Sequence, residues 1–167
     1  MAYQHIENVA AEALFSDCGH YRYRLTLRHG TRKGGKTVCV IMQNPSVASH
    51  LVADKSVQFL EKIIFTNTVP EFENVSQVLI VNQFARIQTK NFQGTKADIG
   101  PGNDAHIRDA IRKSDTILIA WGKTNPYKDR QEVILKIIRE FPDKQVLMTK
   151  KHPSRGSYKD FIMAYEE

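Results

Sequence analysis

Four short polar stretches of this 167-residue chain carry side chains from which chemistry could be built. They are Gln43-Asn44-Pro45-Ser46, Asn82-Gln83-Phe84, Trp121-Gly122-Lys123 and the run from Thr149 through Lys150, Lys151, His152, Pro153, Ser154, Arg155, Gly156, Ser157 and Tyr158. The last is the richest: a histidine, two serines, an arginine and a tyrosine fall within seven residues. A neutral histidine can donate a hydrogen bond to charge that develops during a reaction. A side-chain amide offers a donor and an acceptor to a planar polar edge. Lysine and arginine attract phosphate. Pro153 fixes φ and Gly156 permits a positive φ, so the run reads as a shaped loop rather than a helix.

Two other patterns suggest chemistry by spacing alone. Gly30-Thr31-Arg32-Lys33-Gly34-Gly35-Lys36-Thr37 matches G-x-x-x-x-G-K-[ST]. That signature cradles phosphate only when a helix follows, and here the apolar run Val38-Cys39-Val40-Ile41-Met42 follows instead. A Gly-rich hairpin turn between strands is therefore expected, and nucleotide hydrolysis through Lys36 and Thr37 is the lesser reading. Cys18-Gly19-His20 resembles half of a metal site with no second half, so no metal is expected. Cys18 and Cys39 read as free buried thiols.

The elements that must position these residues follow from hydrophobic periodicity. Residues 21–28 alternate as a strand with one wet face. Residues 38–42, 77–81, 116–120 and 146–148 are apolar runs that read as buried strands. Helical spacing marks 56–64, with Ser56 as an early helix or cap residue. It also marks 103–111, starting at an Asn103 cap, and 129–140, with Val133, Ile134, Ile137 and Ile138 inward. Strand and helix alternate, so the expected fold is α/β. It is a three-layer α/β/α arrangement around a central, mostly parallel four-stranded sheet, with an N-terminal hairpin, all in one domain spanning 1–167. Each polar stretch follows a predicted strand. In a parallel sheet all four would meet at one edge, where such folds bind ligands.

In order and spacing, Gln43-Asn44-Pro45, Val81-Asn82, Ala120-Trp121-Gly122 and His152-Pro153-Ser154 resemble the motifs of the uracil-DNA glycosylase superfamily. The resemblance is closest to a bacterial and phage group with an I-M-x-N-P-S…A-W-G…H-P-S layout, and it covers roughly residues 37 to 160. It implies that Asn44 holds the attacking water, that His152 hydrogen-bonds the base O2, and that Asn82 reads the pyrimidine edge. It implies base contacts from Gln43 and stacking by Phe59, Phe84 or Tyr158. Ser154 and Ser157 would grip phosphates, with Lys150, Lys151 and Arg155 adding charge. Ser46 stands where uracil enzymes carry a bulky tyrosine, which opens room for a substituent at C5. Arg155-Gly156 replaces the usual leucine wedge, and Met42 replaces a leading glycine. An amide cannot serve as a general base, so Asn44 implies a slow enzyme. The implied reaction is excision of a uracil-like, mismatched or modified pyrimidine after the nucleotide is flipped out of the helix. No cofactor is implied.

Composition agrees with a DNA partner without requiring one. The net charge is +6, hydrophobic residues make up 41% and charged residues 25%. No apolar run approaches the ~20 residues of a membrane span. The N-terminal residues lack the pattern of a signal peptide, so a cytoplasmic monomer is expected. A non-catalytic binder of nucleobases or DNA on the same fold is the alternative from a different functional class.

Overall fold

The computed structural model describes residues 3–66, 69–122 and 126–166; Lys123 of the third polar stretch lies outside them. The strands are β1 (Val9–Phe15), β2 (Arg22–His29), β3 (Lys36–Met42), β4 (Val75–Asn82), β5 (Thr116–Ile119), β6 (Gln145–Thr149) and β7 (Ile162–Ala164). The α-helices are α1 (Lys55–Glu61), α2 (Asn103–Arg112) and α3 (Lys128–Arg139). One wide π-helical turn, Lys62–Thr66, extends α1. All seven strands form one sheet in the order β1-β2-β4-β3-β5-β6-β7. The four strands from β4 to β6 in that order are mutually parallel, and β1, β2 and β7 join antiparallel.

This overturns the expected three-layer arrangement on a four-stranded sheet. The sheet is seven-stranded and mixed, with three α-helices among the described residues. The N-terminal strands are part of the sheet rather than an appendage. The Gly-rich segment does not close a hairpin either: β2 pairs with β1 and β4, and residues 30–35 cross beneath β4 to reach β3. Lys36 and Thr37 already belong to β3, so no helix follows to form a phosphate cradle.

Strand alternation divides the interior in two. Val38, Val40, Met42, Val78 and Ile80 pack with Val57, Phe59, Leu60, Ile63 and Ile64 of the α1 region. Cys39, Ile41, Leu79 and Val81 pack on the other face with Ile107 and Ile111 of α2 and with Ile134, Leu135, Ile137 and Ile138 of α3. Val133, expected to point inward, is 42% exposed because Leu135 takes the inward position on α3. Cys39 is buried, and burial pushes its thiol up to about 12. Cys18 is exposed, contrary to expectation, because it sits in the turn that leads into β2. No helix among the described residues is long and apolar enough to cross a membrane.

Leu25 of β2 is fully buried in the α1-side core. Leu25→Ala should therefore cost about 2–5 kcal/mol in urea unfolding, with one cooperative transition retained. A change below about 0.5 kcal/mol, as at an exposed site, would mean that β2 is peripheral.

Candidate functional site

The parallel register brings the strand exits to one edge. Met42 pairs with Asn82, Ile41 with Ile119, and Ile119 with Met148. β3 leads through α1 to β4 on one side, whereas β4 leads through α2 to β5 on the other side of β3. The strand order thus reverses beside β3, which is where open sheets leave a crevice at their carboxyl ends. The backbone fastens the loops there. Gln83 N–H donates to Met42 O at 2.9 Å, Phe84 N–H to Gln43 O at 3.0 Å, and Ala120 N–H to Ile41 O at 2.8 Å.

Asn82 is the most unusual residue of this edge. It is 1% exposed, and both its Nδ2 and Oδ1 lack a hydrogen-bond partner. Its pairing with Met42 puts it on the α1 side of the sheet, because paired residues of parallel strands share a face. Gln83 is also fully buried, with both side-chain polar atoms unpartnered. Its carbonyl accepts from Arg130 Nε at 2.7 Å and from Asn103 Nδ2 at 3.3 Å. Asn103 is thus not the cap of α2: Gly102 precedes the helix, and the Asn103 amide ties α2 to Asn82 O and Gln83 O. A buried polar atom without a partner costs about 1–3 kcal/mol, so adjacent unpartnered amides need a reason beyond stability.

The loop after β3 is internally bonded. Asn44 Nδ2 donates to Gln88 O at 2.7 Å and to Pro45 O at 3.2 Å, and Asn44 Oδ1 accepts from Gln43 Nε2 at 3.1 Å. The nitrogen is therefore spent on the loop, and the oxygen keeps one lone pair. Ser46 Oγ donates to Asp54 Oδ2 at 2.5 Å. Asp54, not Ser56, caps α1, with Oδ1 accepting from Val57 N–H at 2.8 Å. Beneath them Arg22 of β2 is buried and donates from Nη1 to Ala48 O at 2.8 Å. Burial lowers the Arg22 guanidinium to about 10 while the Asp54 charge opposes the shift, so the group remains cationic at neutral pH.

His152 enters from the loop after β6. Its Nδ1 accepts from Ser154 N–H at 3.1 Å and lies 2.9 Å from Ser154 Oγ. An Nδ1 that accepts puts the proton of the neutral ring on Nε2, which is left as a donor. Burial pushes the imidazole below its usual range. Arg155 adds to that shift and the Asp54 charge opposes it. Gly122, at φ +91, lies beside this histidine: a Cβ there would come within 3.4 Å of His152 Cβ. That separation is an ordinary contact, so the positive φ and not lack of space accounts for glycine at this exit of β5.

The predicted residues do not all converge. Gln43, Asn44, Ser46 and Asn82 gather at the exits of β3 and β4, and the loop carrying His152 and Ser154 is held against α1. Phe59 is a core residue of α1, stacked by Tyr158 at 5.0 Å and met edge-on by Phe161 at 5.3 Å. Gly156 sits on the same ring, which any Cβ at that position would overlap. Gly156 has φ −73, so close approach to Phe59 and not a positive φ explains the glycine; Pro153–Arg155 forms a short 3-10 turn rather than an open loop. Phe84 lies apart, packed edge-to-face on Phe92 and Tyr127 beside a cavity of about 760 Å³. Ser154 is committed to His152. Lys150, Lys151, Arg155, Ser157 and Tyr158 are exposed around the loop. The basic turn at Arg32 and Lys33 precedes β3 and so lies at the opposite edge, where Arg32 bonds Phe65 O and Val75 O.

Sequence reading missed Asp54 and Arg22, and it named Gln83 within a polar stretch without giving it a role. An aspartate three residues before Val57 at the start of a helical apolar pattern is a cap signal and could have drawn attention to Asp54. Nothing local marks Arg22 or Gln83 as buried. No group of three or more His, Cys, Asp or Glu among the described residues could hold a metal ion.

The molecule is thus a mixed-sheet protein whose polar exit loops gather at the carboxyl ends of its parallel strands. The chain belongs to the family described as "Protein of unknown function (DUF1643)", whose model matches residues 22–156 and so takes in the exit loops from Gln43 to Gly156. No curated protein and no solved structure matches it.

The His152 environment sets a pH dependence. The folded ring binds its proton less readily than the unfolded ring, so the unfolded state holds more protons as pH falls below about 6.5. The contribution is complete above that value and is lost on acidification. Unfolding free energy measured by urea titration should fall less between pH 7 and 5 in His152→Gln than in wild type; parallel slopes would contradict it.

Proposed function

We propose that this protein is a monofunctional DNA glycosylase that excises a uracil-like, mismatched or modified pyrimidine and leaves an abasic site. One observation carries the reading: Asn82 holds a buried amide with donor and acceptor both unpartnered, at the carboxyl end of β4. A pyrimidine edge alternates acceptors and donors, and a flipped base could satisfy both atoms at once. His152 supports the same reading, because its bonded Nδ1 leaves Nε2–H free to stabilise negative charge on the departing base. The oxygen of Asn44 holds the attacking water. Lys150, Lys151, Arg155, Ser157 and Tyr158 meet the DNA strand, and the +6 net charge favours that anionic partner. Ser46, small and turned to Asp54, leaves the C5 side of the base open. The protein acts as a monomer in the cytoplasm, with no cofactor.

A second reading, a non-catalytic binder of nucleobases or DNA, is favoured by Asn44, an amide that cannot take a proton and whose nitrogen is already spent on Gln88 O and Pro45 O.

The deciding experiment is an abasic-site assay. Oligonucleotides carry uracil, thymine opposite guanine, or 5-substituted cytosines, and alkali cleaves wherever a base has left. Wild type should cleave at least one of them, and His152→Ala and Asn82→Ala should each lower the rate about 10²-fold or more while DNA binding changes only a few-fold. Binding without cleavage on every oligonucleotide would favour the second reading. Binding should also weaken as salt rises from 50 to 200 mM, because phosphate contacts release counterions; salt-independent binding would argue against a DNA interface.

A further inference from the structure

The strand-end amide Asn44 cannot take a proton, so hydrolysis at this site lacks a base unless another element supplies one. We infer that Asp54, at the cap of α1, is a further catalytic residue that accepts the proton of the attacking water; this rests on the glycosylase reading.

Three features of the geometry point to it. First, Asp54 Oδ2 accepts from Ser46 Oγ, so the carboxylate sits on the loop that leaves β3 and not elsewhere on the surface. Second, α1 is held against the His152 loop, because Phe59 of α1 packs on Gly156 and stacks with Tyr158. The helix that Asp54 caps therefore also holds the loop that carries His152. Third, each carboxylate oxygen has spent one lone pair, on Ser46 and on Val57 N–H, and keeps another for water. The residue is half-buried, so solvent reaches it.

The charged and titratable groups facing Asp54 come from three elements. Arg22 projects from β2, His152 comes from the loop after β6, and Glu61 lies at the far end of α1. Glu61 is engaged with His5 at 2.6 Å and with Ile6 N–H at 3.0 Å and is fully buried, whereas Asp54 is half-buried and open to water. The step balances as a hydrolysis. The C1′–N bond breaks and its electron pair leaves with the base, whose negative charge is met by His152 Nε2–H. The water oxygen bonds to C1′, and the water proton passes to the Asp54 carboxylate.

Asp54→Asn separates this role from the structural one. Asparagine is an equally good cap and keeps an oxygen for Val57 N–H, so the fold is retained while the charge is lost. Single-turnover rates would be measured at neutral pH on the oligonucleotide that wild type cleaves best. Asp54→Asn should be slower by about 10²-fold or more, with DNA binding and Tm little changed. Asp54→Ser, another good cap, should behave alike if the asparagine variant folds poorly. A wild-type rate in either folded variant would overturn the inference and leave the glycosylase reading standing. A wild type that releases no base from any oligonucleotide would overturn both.

Discussion

The parallel register around β3 is the constraint on which the rest depends. β3 is central, hydrogen-bonded to β4 on one side and to β5 on the other. Its residues alternate between two separate cores, Val38 and Val40 on the α1 side and Cys39 and Ile41 on the α2 and α3 side. A one-residue slip would exchange the two sets, so burial on both faces fixes the register firmly. That register in turn sets the height at which the neighbouring strands end. Hydrogen bonds such as Phe84 N–H to Gln43 O and Gln88 N–H to Pro45 O then carry the ladder past the strand ends and fasten the exit loops to one another.

Within that edge the polar groups divide into two kinds. Asn44, Asn103 and Arg130 spend their donors on backbone carbonyls and so build the walls. Asn82 and Gln83 spend nothing. The difference separates amides that the backbone has claimed from amides that it has not. An amide already paired to the backbone would have to break a bond to meet a ligand, whereas an unpartnered buried amide gains from the first suitable edge that arrives.

Much of this could be read from the chain, and the limits have physical causes. Apolar runs at 38–42, 77–81 and 116–120 announced buried strands because burial on both faces leaves continuous hydrophobicity. β1 was missed because Val9-Ala10-Ala11-Glu12-Ala13-Leu14-Phe15 is rich in alanine, a weak strand former at an exposed edge. β7 is three residues long, too short for any period to register. The larger error concerned pairing. Alternation in 21–28 marks a strand, but nothing local says that it pairs with β4 and not with the next strand in sequence. The same holds at the site. Spacing could place Asn44, Asn82 and His152 after strands, yet it could not tell which amides the backbone had already claimed. Gly156 was read as a conformational glycine, whereas the ring of Phe59 demands it.

That contact also bears on how the exit loops are held relative to one another. Phe59 lies five residues beyond Asp54, about one and a half helical turns along α1. At one end the helix takes Ser46 through its cap; further along it takes Gly156 and Tyr158 through an aromatic face. A single rigid element therefore ties the exit loop of β3 to the exit loop of β6, two strands that are not neighbours in the sheet because β5 lies between them. The intervening exit of β5 turns at Gly122, whose φ of +91 suits glycine, and runs beside His152. The separation of Asp54 and His152 is thus set by helix packing rather than by loop conformation, and packed helices hold distances that loops do not.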